Sequence, residues 1–126
     1  MKALIDTQIF LWMAVSPDKL SPAARSACET GELILSVASA WEIGIKHQIG
    51  KLDLPASPKA FLDAQIRMAN VAVLPIHYRH AMRAAALESP HKDPFDRLIA
   101  AQAIEEGISC ISSNVAIEQL GARRIW

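Results

Sequence analysis

Asp6, Glu42, Asp93, Asp96 and Asn114 are the residues whose types and positions suit chemistry in this sequence. Asp6 closes the first apolar run, and Glu42 lies in the helical stretch after the second. Asp93 and Asp96 open a strongly helical segment, and Asn114 follows a late apolar run. In an open parallel sheet, ligands bind beyond the carboxyl ends of the strands, so residues placed there collect at one rim. Carboxylates collected at one rim repel each other, and a hard divalent cation such as Mg²⁺ or Mn²⁺ offsets that repulsion through oxygen ligands. Such an ion lowers the pKa of a bound water and neutralises charge on a phosphodiester, so no covalent protein nucleophile is needed. Asp93 is the candidate to orient or deprotonate that water. Positive charge for a phosphate is offered by Lys46, Lys92 and Arg97, with His91 beside them.

Each residue also has a plainer explanation. Asp6 is placed to cap a helix beginning at Thr7. Glu42 stands four residues before Lys46, the spacing of an exposed helical ion pair. Asp93 before Pro94 matches an N-cap followed by proline at the first helical position, and Asp96 in that first turn favours the positive end of the helix dipole. Lys46 and Arg97 can likewise serve as ion-pair and solvated helix side chains. Helix physics leaves unexplained why all the acids fall at the same end of the expected sheet.

Short apolar runs at 2–5, 33–35, 71–74, 108–112 and 124–126 read as strands. Between them lie helical patterns: 9–13, one capped by Ser21 with Pro22 at its first position, and one starting at Ser36 or Ser39 with Trp41, Ile45 and Ile49 on one face. Further helices are expected at 59–68, 78–87, 95–106 (stopped by Gly107) and 115–120. Alternating strands and helices imply a mainly parallel sheet covered on both faces by right-handed crossovers. A chain of 126 residues, 52% apolar and only 6% aromatic, suits one α/β domain spanning 1–126 with an aliphatic core.

Three strings then identify a family resemblance: LIDT at 4–7, SAWEIGIK at 39–46 and HKDPFDRLIAAQA at 91–103 resemble the three acidic motifs of VapC-type PIN-domain toxins, in order and separation over essentially the whole chain. The resemblance implies a three-layer α/β/α sandwich with a parallel central sheet. It also implies a metal-dependent endoribonuclease acting on RNA, an inhibitory antitoxin partner and a homodimer. By motif position it makes Asp6, Glu42 and Asp96 metal ligands, with Asp93 at the edge of the site. One departure stands out: the family commonly has another Asp after the last core strand, and Asn114 occupies the best-matching position. Its amide oxygen can hold a metal-bound water but brings no charge, which weakens a second cation site.

Other classes are excluded or reduced. Thirteen basic and 13 acidic residues cancel, so RNA contact requires a local patch. No nucleotide-cradling or dinucleotide glycine motif occurs, and Asp6 lacks the second Asp of an aspartyl-nucleophile phosphatase. His77 and His80 lack further ligands for zinc and read as surface residues. Cys28 and Cys110 read as free thiols, which with no secretory leader or apolar span gives an expectation of a cytoplasmic protein away from the membrane. The competing class is a binding module: a PIN fold that has lost turnover, or a receiver-like acidic pocket. A receiver needs an acid just after its third strand, where this sequence has Pro75 and Ile76. In the first helix, Ile9, Phe10, Trp12, Met13 and Val15 exceed one core-facing stripe, fitting either deep burial or a partner groove.

Overall fold

The alternation of the first strand sets the layering. In the computed structural model, which describes residues 1–126, β1 (Lys2–Ile5) sends Ala3 and Ile5 to one face and Leu4 to the other. The chain continues through α1 (Thr7–Val15), a 3-10 turn (Pro17–Lys19), α2 (Pro22–Thr30), β2 (Glu32–Ser36), α3 (Val37–Gln48), α4 (Pro58–Met68) and β3 (Ala72–Leu74). Then follow α5 (Tyr78–Ala86), α6 (Pro94–Glu106), β4 (Ser109–Ile111), α7 (Ala116–Gln119) and β5 (Arg124–Ile125). The strands form one sheet in the order β3-β2-β1-β4-β5, and every pairing is parallel.

Parallel neighbours need crossovers, and these put helices on both faces. Ile9, Phe10, Ala24, Ile43 and Phe61 from α1 to α4 pack on the Ala3 and Ile5 face. Ile99, Ala100, Ala103 and Ile117 from α6 and α7 pack on the Leu4 and Cys110 face. The result is the α/β/α sandwich that the alternation predicts. β1 is hydrogen-bonded to β2 on one side and to β4, reached from the edge strand β3, on the other. The strand order therefore reverses between β1 and β4, which is where a crevice opens at the carboxyl ends.

Local signals explain the helix ends. Ser21 accepts from Ala24 N–H and Ser36 from Ala38 N–H, while proline occupies the first turn of α2, α4 and α6. Gly107 ends α6 at φ +67°, a left-handed conformation that glycine adopts without strain.

Three details differ from the periodicity. Trp41, Ile45 and Ile49 share a face of α3, but it points outward, with Trp41 60% and Ile49 58% exposed. The inward face is Ala38, Ser39, Glu42 and Ile43, with Ile43 packed in the core and Ser39 and Glu42 turned to Thr7. His80 is not a surface residue: it is fully buried, accepting from His77 N–H at 3.0 Å and facing Glu106 at 3.1 Å. The apolar excess of α1 is divided, with Ile9 and Phe10 buried, Leu11, Trp12 and Met13 partly covered, and Val15 exposed. Both cysteines are free, Cys110 in the core. No helix is long and apolar enough to cross a membrane.

Candidate active site

Where the chain leaves β1 and β4, Asp6, Thr7, Glu42, Asp93, Asp96, Ser113 and Asn114 line one cleft of about 310 Å³, with Leu11 its only hydrophobic wall residue and Gln8 and Lys46 at its sides. Four different elements contribute. Asp6 follows β1, Glu42 projects from the inward face of α3, Asp93 and Asp96 stand at the start of α6, and Asn114 follows β4. The three acids singled out by motif position thus face a common space.

Each carboxyl is held by the protein. Asp6 stands at the N-cap of α1 but its side chain makes no capping bond; instead Ser112, fully buried at the end of β4, donates its hydroxyl to Asp6 Oδ2 at 2.5 Å. Glu42, only 8% exposed, accepts from the Thr7 hydroxyl at 2.7 Å and pairs with Lys46 at 2.7 Å. The Thr7 hydroxyl has one proton, so with Glu42 taking it, Ser39 at 2.8 Å is left to donate to Thr7. Asp96 Oδ2 lies 2.7 Å from His91 Nε2 and accepts from the Asn114 amide at 3.2 Å. Asp93 caps α6, accepting from Phe95 and Asp96 N–H at 2.9 and 3.0 Å through Oδ1 alone.

The PIN domain family model matches residues 3–122. The chain belongs to the PIN domain family. Ribonuclease VapC16 of Mycobacterium tuberculosis is 33% identical over 58 residues, which are 46% of this chain and 41% of that protein, so the match spans less than half of this curated relative. Among solved structures, DNA-bound VapBC from Salmonella typhimurium is similar with a TM-score of 0.70 at 15% identity, covering 98% of this chain and 96% of that one. VapBC2 from Rickettsia felis, bound to a promoter DNA fragment, gives 0.69 at 14% identity over the full length of both chains. VapBC-1 from nontypeable Haemophilus influenzae gives 0.62 at 20% identity, covering 98% and 96%. At these identities the likeness is one of fold.

In this PIN domain the acids disturb one another. Burial lifts the Asp6 carboxyl above its ordinary range, Ser112 offsets part of the rise, and the charges of Asp96 and Glu42 add to it. Asp96 is raised for the same reasons, by burial first and by Asp93 and Glu42, against the hydrogen bond from His91. Lys46 is pushed up by its bond to Glu42 and by Asp93 and Asp96. The donor set is all hard carboxylate oxygen, with Lys46 the single cationic side chain in the cleft lining, which fits a divalent cation of the Mg²⁺ or Mn²⁺ kind. The carboxyls line the cleft without forming a ready-made group of three ligands, since each is turned toward its own protein partner.

Two expected site residues have other work. Arg97 is absent from the cleft lining, and its guanidinium makes five hydrogen bonds to the carbonyls of Ala84, Leu87, Ser89 and His91. Those donors are spent tying the end of α5 and the following loop to α6, so Arg97 is a structural clamp, not a phosphate ligand. Asn114 lines the cleft, but its Oδ1 accepts Ala116 N–H at 3.0 Å. That bond leaves the NH₂ group to donate to Asp96, so the amide faces that carboxylate as a donor while its oxygen is engaged by the backbone of α7. Lys92 is exposed and outside the cleft lining. Lys46 is the basic residue that lines it. Thr7 and Ser39 were not singled out from sequence. Ser39 was detectable, standing three residues before Glu42 and therefore one turn away on the same helical face.

Proposed function

We propose that this PIN domain is a divalent-cation-dependent endoribonuclease and the toxin of a toxin–antitoxin pair. The observation that carries the reading is the cleft itself: Asp6, Glu42 and Asp96 line it together, and burial first, with neighbouring acids adding to it, raises Asp6 and Asp96. A divalent cation held by those oxygens would relieve both the burial cost and the repulsion.

Asp6, Glu42 and Asp96 would hold Mg²⁺ or Mn²⁺, which when bound supplies Lewis acidity toward water and a phosphodiester. The chain's own groups do the remainder. Ser112 and Thr7 fix which carboxylate oxygens stay turned inward, and His91 and Asn114 do so for Asp96. Lys46 supplies the positive charge that an approaching phosphate requires. Asp93 uses one oxygen as the helix cap and keeps the other free to orient a water or take its proton; attack of that water on phosphorus with departure of the 3′-oxygen, which takes up a proton, would leave a 5′-phosphate and a 3′-hydroxyl. Asn114, a donor here, supports a single cation site.

A partner surface adjoins this cleft. Leu11, Trp12, Val15, Leu52, Leu54 and Phe61, with Lys19, Lys51 and Asp53 among them, line a mixed apolar and charged groove of about 300 Å³ that shares Gln8, Leu11 and Lys46 with the acid-lined cleft. An antitoxin segment seated there would lie across the approach to the acids. The similar solved structures from Rickettsia felis, Salmonella typhimurium and Haemophilus influenzae are of VapBC, which supports a partner for this groove. RNA as substrate and a homodimer are carried by the resemblance. Nothing favours a receiver, since β3 is an edge strand followed by Pro75 and Ile76.

The test is cleavage of single-stranded and structured RNAs by purified protein across Mg²⁺ and Mn²⁺ concentrations, with EDTA and Asp96→Asn as controls. Cleavage that needs the cation and falls at least about a hundredfold in Asp96→Asn is the expected outcome, a loss of about 2.7 kcal/mol of barrier lowering. Equal cleavage by Asp96→Asn removes the basis of the proposal.

A further inference from the structure

The acid-lined cleft can grip a phosphate but has no surface on which a base could stack, since Leu11 is its only hydrophobic wall residue. The chain has seven aromatic residues, and most are committed elsewhere. Phe10 and Phe61 meet edge to face in the core and Trp12 packs on Trp126, while Tyr78, 81% exposed, opens α5 and is a sequence neighbour of no cleft-lining acid. The two that remain flank the acids. Trp41 immediately precedes Glu42, and Phe95 lies between Asp93 and Asp96. Their rings meet at 5.3 Å with planes at 74°, joining α3 to the first turn of α6. Phe95 is held by the Asp93 cap on its N–H, so Trp41 rests against a fixed neighbour. Even so, Trp41 remains 60% exposed.

We propose that Trp41, braced by Phe95, is a stacking platform for one unpaired nucleobase of the RNA whose phosphate enters the adjacent cleft, an inference that rests on the ribonuclease reading above. A large rigid ring with an exposed surface loses little side-chain freedom on binding and accepts any base, because every base has a π-face. Trp41 touches Phe95, which stands between the cleft-lining Asp93 and Asp96 in the first turn of α6, so a strand whose phosphate reaches those acids passes within a nucleotide's reach of the ring. The platform would also select single-stranded substrates, since a paired base cannot leave its stack without cost.

The experiment compares parent protein, Trp41→Ala and Trp41→Phe on a short single-stranded RNA. Trp41→Ala should raise KM by about 5- to 150-fold, the range of one lost base stack, with kcat within about twofold. Trp41→Phe should restore most of the loss, which a merely structural role at an exposed position would not require. A readout independent of cleavage is anisotropy titration of a 2′-O-methyl version of the oligonucleotide in Ca²⁺, with abasic replacements scanned along it. One abasic position should weaken the parent as much as Trp41→Ala does and add nothing in that variant. Cleavage with unchanged KM and unchanged titration in Trp41→Ala overturns the platform and leaves the ribonuclease reading intact. Trp41-dependent, abasic-sensitive binding with no cleavage by any protein preserves the base site and overturns the ribonuclease reading. If Trp41→Ala sediments as a smaller species than the parent and binds RNA equally well per chain, the surface belongs to a second copy and the proposal is wrong.

Discussion

Arg97→Ala should cost stability, not substrate affinity. The Arg97 guanidinium serves four carbonyls, three of them, Ala84, Leu87 and His91, at 3.1 Å or closer. These include carbonyls at the end of α5 that have no helical partner of their own. Partly buried acceptors that lose a charged donor cost at least about 1 kcal/mol each, so the three together come to about 3 kcal/mol. For a domain of this size, at roughly 3–5 °C per kcal/mol, the melting temperature should fall by roughly 9–15 °C. Arg97→Lys should recover less than half of that, because an ammonium on a flexible stem cannot reproduce the planar fork. Thermal and urea unfolding measure the loss, and RNA affinity is measured well below the lowered melting temperature. A variant that melts within about 2 °C of the parent while binding RNA much more weakly would show that Arg97 contacts substrate after all, and the clamp argument would fail.

Two further outcomes follow from the charges in the cleft. Burial and Asp96 raise the Asp6 carboxyl above its ordinary 3.8, so the folded chain holds that proton more tightly than the unfolded chain. Stability from this group is therefore fullest below the unfolded value and falls as pH rises through the folded one. In EDTA, Asp6→Asn should melt higher than the parent near neutral pH, with the gap closing toward pH 3; parallel curves at every pH would contradict the repulsion. Asn114→Asp keeps an oxygen for Ala116 N–H but sets a charge against Asp96, so without cation it should melt lower than the parent. With Mn²⁺ it should gain more in melting temperature than the parent gains, and calorimetry should show tighter cation binding; equal gains would mean residue 114 does not face the ion.

Much of the architecture was legible in the residues. Strand runs, capping serines, the Asp93-Pro94 helix start and the Gly107 stop are local signals, written within a few neighbours and honoured by the fold. The acids were legible too, as sequence strings at the ends of elements. Partner choice was not, because it depends on which segments meet. Arg97 looked like a cation beside the acids, and only the return of α5 against α6 showed its donors consumed. Asn114 looked like a weak oxygen ligand until the Ala116 N–H claimed that oxygen. Spacing put Trp41 on one helical face with Ile45 and Ile49, and only the fold showed that face to be outward, with Glu42 turned inward to accept from Thr7.

What the sequence alone determined was the alternation of elements and the chemical kind of each side chain, since periodicity, caps and turns act over a few residues. The tertiary structure decided which carboxyls share a cleft, which basic side chain lines it and which ring is exposed. The physical reason is that hydrogen-bond direction, burial and charge repulsion act between residues up to 106 positions apart, as with Asp6 and Ser112, and such distances acquire meaning only once the sheet has closed between them.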